Sequence, residues 1–399
     1  MTLNPEKVYT KNNVLLPRSG HKIVADNKYL YVIGGYVEIR YRTIFSSSEN
    51  EVRGEIWRLH FVYKTWEKCI FDKELFNLSA SHSATKHGDC IFITGGTGLP
   101  FGANILDHLI VVNVKNMTQK SYQFIPKSGC VKNLPIATYG HSLTFVEIHN
   151  KPYLFIIGGT VGTKYHQEVY KIDLMTLEST IVADGDSTNA PRPRYKHESF
   201  FYGDHIYLLG GTTQTSSTFS LDQIHLFNVH TNVWKTHKTN DQFKINKGLR
   251  CPSMCQNGQY IYLTGGCPNS QEISTDIQEL DLTTLSWRVI GKWEKPCFFH
   301  DSVFVPHLGS MFTFGGVSRI LEPPKRTNDL YEFKPVSARI SPTLTDLSWK
   351  LIIEILLRVN ARKAGDCGAN LLPDLVRMGL PLSIINRIGS PETNNTHAA

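Results

Sequence analysis

Residues 29–35 read YLYVIGG, an apolar run of five residues that ends in two glycines. The run is rich in aromatic and β-branched residues and too short for a helix, so it predicts a buried strand. The pattern recurs, and the glycine pairs that end each run are Gly34-Gly35, Gly95-Gly96, Gly158-Gly159, Gly210-Gly211, Gly265-Gly266 and Gly315-Gly316. Their successive spacings of 61, 63, 52, 55 and 50 residues indicate six copies of one structural unit.

Two further signals keep a fixed place in each unit. A histidine stands ahead of five glycine pairs, with Ser253 at that point in the fifth unit: His21, His82, His141, His197 and His300. An alternating strand follows each pair: Glu55–Phe61, Asp107–Asn113, Glu168–Asp173, Asp222–Asn228, Asp276–Asp281 and Asn328–Phe333. In three units a tryptophan comes next: Trp66, Trp234 and Trp287.

Four strands per unit, with an indole against the sheet, describe one blade of a β-propeller, and the spacing is typical of kelch rather than WD40 repeats. A single unit cannot bury both its faces, so the units must pack around an axis. We therefore predict an all-β fold, a six-bladed kelch β-propeller, over residues 1–336. The sixth unit ends after Phe333 without a fourth strand. The segment Lys7–Leu15 is predicted to supply that strand and to join the two ends of the ring.

Most of the repeated residues have a structural interpretation. Histidines at equivalent places in five blades are expected to hydrogen-bond to backbone rather than to bind a ligand. The glycines have no phosphate-binding context, because no helix follows them. The tryptophans are predicted to lie in the core. The eight cysteines lack paired metal-ligand spacing and are expected to be free thiols, so we predict neither a metal nor a cofactor.

Ligand binding is expected in the loops, because this scaffold is shared by unrelated activities. Since strand direction alternates, the segment before each histidine and the loop after each glycine pair should lie on one rim of the ring. The predicted binding residues on that rim are Arg18, Tyr36, Tyr139, Arg192, Arg194, Tyr195, Thr212, Ser216, Arg250 and Phe299. Arginines with aromatic walls suit an anionic, peptide-like ligand. The alternative is that some of these arginines brace neighbouring blades.

Composition argues against two classes of partner. The net charge of +7 is modest for 399 residues, and the basic residues are dispersed, so no nucleic-acid footprint is indicated. Residues 1–17 lack the apolar stretch of a signal peptide, and the longest apolar stretch, residues 351–357, is too short to span a membrane. We expect neither a nucleic-acid nor a membrane partner, and a location in the cytoplasm and nucleus.

The sequence pattern changes after Pro335. Ser341-Pro342-Thr343 is typical of a helix start. The apolar residues then fall at three- and four-residue steps: Leu344, Leu347, Leu351, Ile352, Ile355, Leu356 and Val359. This predicts an amphipathic helix within a helical tail, residues 337–389, that either packs on the propeller or binds a partner. A second apolar segment covers residues 371–388, and residues 390–399 are predicted to be disordered.

Residues 343–352, TLTDLSWKLI, resemble an elongin-binding box. On a helix, Leu344, Ser348 and Ile352 fall on one face, where the small Ser348 permits close docking of a partner. The wider chain resembles the kelch substrate receptors of cullin-2 RING ubiquitin ligases. The resemblance lies in residues 19–36, in GGTGLPFG at 95–102, in residues 194–198, and in residues 325–327, 347–349 and 378–380.

This resemblance implies a non-catalytic substrate-recognition subunit whose rim binds the C-terminal degrons of client proteins, with Arg194 and Arg250 gripping the terminal carboxylate. It implies that elongin B/C binds Leu344, Leu347, Ser348 and Ile352. It further implies that cullin-2 binds a possible cullin box at 371–388, through Leu372-Pro373 or Leu380-Pro381. The alternative function is a kelch interaction scaffold that regulates a signalling enzyme such as a phosphatase. A kelch-type oxidase would need seven blades and a copper ligand set, and the sequence has neither.

Overall fold

The computed structural model describes residues 4–12, 15–40, 48–71, 80–215, 217–240, 248–268, 272–319 and 324–338. The chain divides after Ala338 into two units, and every described residue lies in the first of them. The predicted helical tail, with its elongin box at 343–352, its possible cullin box at 371–388 and the predicted disorder at 390–399, therefore lies outside the described residues, apart from Ser337 and Ala338.

Six antiparallel sheets, numbered here in chain order, dominate the described residues. Sheet 1 contains Lys22–Ala25, Tyr29–Ile33, Ile56–His60 and Trp66–Lys68. Sheet 2 contains Ser83–His87, Cys90–Thr94, Leu109–Asn113 and Thr118–Tyr122. Sheet 3 contains Ser142–Ile148, Lys151–Thr160, Tyr165–Asp173 and Glu178–Ala183, with Ile125–Pro126 added in parallel at its edge.

The other three sheets repeat this plan. Sheet 4 contains Glu198–Tyr202, His205–Leu209, Gln223–Asn228 and Trp234–Lys238. Sheet 5 contains Ser253–Asn257, Tyr260–Thr264, Asp276–Asp281 and Ser286–Lys292. Sheet 6 contains Asp301–Val305, Ser310–Phe314, Leu330–Phe333 and the N-terminal strand Glu6–Lys7.

Smaller elements connect or extend these sheets. Arg18–Ser19, Tyr36–Arg40 and Ser48–Val52 form a three-stranded sheet, and Val317–Arg319 pairs with Lys325–Arg326. Short 3-10 helices occur at Lys127–Gly129, Val131–Asn133, Pro306–Leu308 and Val336–Ala338. No helix among the described residues has the length and apolar character needed to cross a bilayer.

Apolar side chains from neighbouring sheets interlock and form the core. Each pair of consecutive sheets contributes residues to one shared hydrophobic cluster. From sheets 1 and 2 to sheets 5 and 6, examples are Val24 with Ile93, Leu109 with Leu154, Ile157 with Phe227, Leu226 with Leu263, and Tyr262 with Met311. Leu30 of sheet 1 shares a further cluster with Phe314 of sheet 6, so the succession of sheets returns to its start. The prediction of an all-β fold is confirmed, and the arrangement is consistent with a β-propeller.

The N-terminal segment completes the last sheet, but with the strand Glu6–Lys7 rather than the predicted Lys7–Leu15. Lys7 pairs with Tyr331 in antiparallel register, and the Val8 amide donates to the Leu330 carbonyl at 2.8 Å. A few residues later, the Asn12 side chain donates to the Trp66 carbonyl at 2.9 Å and accepts from the Trp66 amide at 2.7 Å. The segment therefore joins sheet 6 to sheet 1 through hydrogen bonds on both sides.

Close packing of the histidines explains the glycine pairs. A Cβ atom on Gly316 would lie 2.7 Å from the Cβ of His300 in the same sheet, and one on Gly315 would lie 2.7 Å from Cε1 of His21 in the next sheet. The φ angles of Gly315 and Gly316 are also positive, at 66° and 93°, a conformation that residues with side chains rarely adopt. Nε2 of His21 lies 3.1 Å from the Phe314 carbonyl oxygen, and Nε2 of His197 lies 3.0 Å from that of Ile157. The predicted backbone role is confirmed for these two histidines.

The register of sheet 5 corrects one assignment. Ser253 pairs with Thr264, the residue before the glycine pair, just as Lys22 pairs with Ile33 in sheet 1. Since Lys22 directly follows His21, Ser253 is equivalent to the residue after a histidine and not to the histidine itself. Pro252 instead occupies the histidine position, because a Cβ on Gly266 would lie 2.9 Å from the Pro252 Cβ. The sequence alignment was wrong by one residue here, since proline offered no imidazole to mark the position.

Candidate functional site: the rim beside the glycine pairs

The segment before each histidine position lies beside the segment after the glycine pair of the same sheet, as predicted. Backbone bridges make the pairing explicit: Ser19 with Tyr36, Ala80 with Thr97, Tyr139 with Thr160, Tyr195 with Thr212, Arg250 with Cys267, and Phe298 with Val317. These six pairs define what is called the rim below. Arg250 is thus the rim equivalent of Tyr139 and Tyr195, and not of Arg194.

Three tyrosines form an aromatic wall on the rim of sheets 3 and 4. The Tyr195 ring packs edge-on against Tyr139 at 5.6 Å between centroids and lies 5.9 Å from Tyr165. A Cβ atom on Gly140 would lie 2.1 Å from the Tyr195 ring, so glycine is required beneath it. All three tyrosines are half-buried, and burial raises the pKa of each. Sequence reasoning missed Tyr165, which pairs with Thr160 across the loop that follows the sheet 3 glycines.

Arg194 is buried beside this wall. Its guanidinium lies 4.0 Å from the centroid of the Phe219 ring, and Nη1 donates to the Gly210 carbonyl at 3.0 Å. Nε donates to the Arg192 carbonyl at 3.2 Å, while Nη2 has no hydrogen-bond partner among the described residues. Burial, and secondarily the charge of Arg192, lower the pKa of Arg194 to about 9. The group is therefore a cation at neutral pH with one unused donor.

Arg18 occupies the same position in sheet 1 and has a different environment. Its Nη1 donates to the Gly34 carbonyl at 2.8 Å, which matches the Arg194 contact, but its Nη2 forms a salt bridge with Glu55 at 2.8 Å. Its side chain has no exposed surface. Arg18 is therefore already paired inside the fold, and we remove it from the candidate binding residues.

The acid partner of Arg18 has no counterpart in sheet 4. Glu55 lies opposite Gly34, since the Gly34 amide donates to the Glu55 carbonyl. In sheet 4 the pairing of Leu208 with His225 places Gln223 opposite Gly210. Gln223 is exposed and carries no charge. Two arginines in equivalent positions thus differ in the presence of a carboxylate partner.

The remaining predicted rim residues are divided among several sheets. Arg192 is exposed above the Phe219 ring, and Thr212 is buried opposite Tyr195. Tyr36 contacts Phe101 and the guanidinium of Arg326. Arg250 and Phe299 are half-buried, and Ser216 lies outside the described residues. The structure therefore brings together Tyr139, Arg192, Arg194, Tyr195 and Thr212.

A charged network links sheets 1, 4 and 6. Nζ of Lys22 lies 2.8 Å from Glu198 of sheet 4 and 3.2 Å from Asp301 of sheet 6. Asp301 also accepts from the Ile23 amide at 2.7 Å. Burial raises the pKa of Asp301 to about 6, although Lys22 acts in the opposite direction. These residues each follow a histidine directly, a position that sequence reasoning passed over.

No group of three or more His, Cys, Asp or Glu side chains among the described residues has the arrangement to hold a metal ion. The cysteines in that part of the chain are free thiols, and most are buried: Cys69, Cys90, Cys130, Cys251, Cys255, Cys267 and Cys297.

Comparison with known proteins places the chain in a family. Residues 81–316 match the family model described as the KLHDC2/KLHL20/DRC7 Kelch-repeats domain. Kelch domain-containing protein 10 of Homo sapiens is 32% identical over 377 residues, which cover 93% of this chain and 79% of that protein. The Drosophila melanogaster homolog of that protein is 30% identical over 363 residues, covering 84% and 57%. Kelch domain-containing protein 3 of Bos taurus is 29% identical over 151 residues, covering 37% and 38%. The chain therefore belongs to this kelch-repeat family and contains a kelch protein-interaction module.

Proposed function

We propose that the six sheets are the blades of a six-bladed β-propeller, and that the chain is the substrate-recognition subunit of a cullin-2–elongin B/C ubiquitin ligase. Its rim binds client proteins through their C-termini. The subunit has no catalytic chemistry and needs no cofactor, and it works in the cytoplasm and nucleus. The observation that carries this proposal is the buried, unpaired guanidinium of Arg194.

Arg18, the equivalent arginine of sheet 1, has an acidic partner that Arg194 lacks. Burying a cation without a partner is costly, and a fold that supplies Glu55 to Arg18 is able to supply an acid at this position. The lack of such an acid in sheet 4 leaves Arg194 ready for an external carboxylate. Guanidinium and carboxylate form charge-assisted hydrogen bonds in a fixed planar geometry.

The surroundings favour a peptide end over a free small anion. Tyr139, Tyr165 and Tyr195 supply an apolar wall with polar tips, which suits the mixed surface of a peptide. Because the Arg194 residue is only 2% exposed, contact with a ligand requires the half-buried Phe219 ring to move aside. An aromatic or aliphatic side chain of the ligand then takes the place of the Phe219 ring and packs against the three tyrosines.

The ligase assignment rests on the tail rather than on the rim. Leu344, Leu347, Ser348 and Ile352 provide the elongin box, and Leu372-Pro373 or Leu380-Pro381 the cullin contact. These residues lie outside the described part of the chain, so the sequence resemblance alone supports their roles. A kelch module with a different effector is the alternative.

Peptides with free C-termini are expected to bind, and the same peptides with amidated C-termini are not. The test uses a mixed-sequence peptide library in both forms, captured on the immobilised protein and identified by mass spectrometry. For a captured peptide, Arg194→Met should weaken binding by about thirtyfold or more, since a charge-assisted partner contributes about 2 kcal/mol.

Lys235→Met is the matched control for this experiment. Lys235 is exposed on the outermost strand of the same sheet, so the change removes one positive charge without touching the rim. Equal capture of free and amidated peptides, or equal loss in both variants, contradicts carboxylate recognition by Arg194.

The full chain is expected to co-purify with elongin B/C when the three proteins are produced together. Leu344→Ala combined with Ile352→Ala should abolish the complex, because both side chains lie on the predicted docking face. Ile353→Ala, at an apolar position on the opposite face of the same predicted helix, is the control. Persistent binding by the double variant contradicts the elongin box and leaves the kelch module with another effector.

A further inference from the structure

Adjacent sheets are joined near the centre of the ring by a repeated set of three hydrogen bonds. In the first bond, the amide of the second glycine donates to a carbonyl three residues before the next histidine position. Its lengths are 3.2 Å for Gly96 to Thr138, 3.0 Å for Gly159 to Arg194, 3.0 Å for Gly266 to Cys297, and 2.8 Å for Gly316 to Arg18.

The second bond is made by the histidine, whose Nε2 reaches the preceding sheet. The partners are Phe314 O for His21, Thr94 Oγ1 for His141, Ile157 O for His197 and Thr264 Oγ1 for His300. The third bond runs from amide to carbonyl around the ring: Gly20 to Phe299, Ser81 to Gly20, Gly140 to Ser81, Lys196 to Gly140, and Phe299 to Cys251.

The junction between sheets 4 and 5, called the 4/5 junction, lacks all three bonds. Pro252 replaces the histidine, and the amide of Gly211 does not donate to Leu249, nor that of Cys251 to Lys196. Within the described residues, four backbone groups are therefore left without hydrogen bonds: the N–H groups of Gly211 and Cys251 and the carbonyls of Lys196 and Leu249. Gly211, Leu249 and Cys251 are buried, where unpaired backbone groups are rare.

The 4/5 junction is nevertheless held together away from the centre. Nε1 of Trp287 donates to the Leu221 carbonyl at 3.1 Å, and the Asn240 amide donates to the Leu285 carbonyl at 2.8 Å. Leu221 and Met254 pack in ordinary contact beside Gly210, at 3.5 and 3.6 Å from the position of a Cβ. Only the inner, polar part of the junction is incomplete.

The unpaired groups have the chemistry of a receptor for a peptide end. Two N–H donors suit a carboxylate, and two carbonyls suit the amides of an extended peptide, as in strand addition. Cations flank them: Lys196 supplies one of the unpaired carbonyls, Arg250 lies next to Cys251, and Nη1 of Arg194 contacts Gly210, which faces this junction. We propose that the last residue of a bound client inserts at the 4/5 junction and pairs with Gly211, Cys251, Lys196 and Leu249. This inference rests on the proposed function and locates its ligand.

Amide hydrogen exchange of the full chain tests the proposal with internal controls. Without peptide, the amides of Gly211 and Cys251 should exchange about tenfold or more faster than their bonded equivalents, Gly159 and Gly140. Saturation with the captured free-carboxyl peptides should slow exchange at Gly211 and Cys251, while the amidated peptides leave it unchanged.

The possible outcomes separate the two proposals. Slow exchange at Gly211 and Cys251 without peptide means that the junction is closed, and this inference fails. Peptide binding that protects the rim tyrosines but not these two amides overturns the location and leaves carboxylate recognition intact. A complete lack of peptide binding overturns both.

A closing variant provides an independent measurement. Pro252→His with Met254→Ala places an imidazole where the other sheets have one and makes room beside Gly210. Compared with Met254→Ala alone, it should reduce peptide affinity by about tenfold or more without lowering the unfolding temperature further, because blocked access removes binding but not packing. Met254→Ala alone is the control, and unchanged affinity in the double variant contradicts the proposed location.

Discussion

Replacement of Lys22 by methionine is expected to lower the free energy of unfolding by about 3–5 kcal/mol, the typical cost of removing one partner from a buried ion pair. Lys22 contacts Glu198 at 2.8 Å and Asp301 at 3.2 Å, so its loss leaves two carboxylates without a counter-charge. Asp301 has a side chain only 6% exposed and carries most of the effect, whereas Glu198, at 22%, is partly screened by water. Urea denaturation at neutral pH measures the change.

The pH dependence of this effect has a defined sign. Burial raises the pKa of Asp301 to about 6, above the ordinary value of 3.8. The ionised carboxylate therefore costs stability in full above pH 6, and this cost declines as the pH falls from 6 towards 3.8. The stability difference between Lys22→Met and the native chain should therefore be smaller at pH 5 than at pH 7.5. Lys235→Met serves as the control for charge alone. An unchanged unfolding midpoint at neutral pH contradicts the proposed role of Lys22.

Alanine at Gly95 is expected to lower the free energy of unfolding by about 3 kcal/mol or more, or to prevent folding. The added Cβ would lie 2.1 Å from the Thr138 carbonyl oxygen and 2.4 Å from Cε1 of His141, so the neighbouring sheet must shift. The positive φ of 59° costs about 1–2 kcal/mol and the overpacking about 1–3 kcal/mol.

Gly210→Ala is the matched control at the equivalent position. Its φ of 63° is similar, but the nearest atoms to an added Cβ are the flexible ends of Leu221 and Met254 at 3.5 and 3.6 Å. The expected loss is therefore only the conformational cost of about 1–2 kcal/mol. Thermal and urea unfolding of both variants provide the comparison. Equal losses would mean that backbone conformation alone requires these glycines, and that the missing histidine at the 4/5 junction has no effect on packing.

Much of the scaffold was predictable because its signals are local. The apolar run Tyr29–Ile33 and the alternating strand Asp276–Asp281 have the same bounds as the observed strands. The N-terminal strand was predictable from a count, since the sixth unit lacked one strand. Trp66, Trp234 and Trp287 are all buried, as expected for residues that pack one sheet on the next.

The candidate site was only partly predictable, because its residues depend on register. Arg18 and Arg194 look alike in sequence, and only the position of Glu55 opposite Gly34 separates a paired arginine from an unpaired one. Because Pro252 replaces the histidine, the histidine position of the fifth unit was assigned one residue too late, at Ser253. The contacts of Lys22 with Glu198 and Asp301 join positions 176 and 279 residues apart, which no local pattern encodes.

The pairing of Lys7 with Tyr331 has a consequence for how the protein is made. The two residues are 324 positions apart, so the first strand to leave the ribosome must wait until nearly all of the described unit has been translated. During that time the final sheet of the nascent chain is incomplete. Because such a distant pairing carries a large loop-closure entropy, it should form last. The last sheet is thus completed late in synthesis, and a chain that terminates before residue 330 cannot form this pairing.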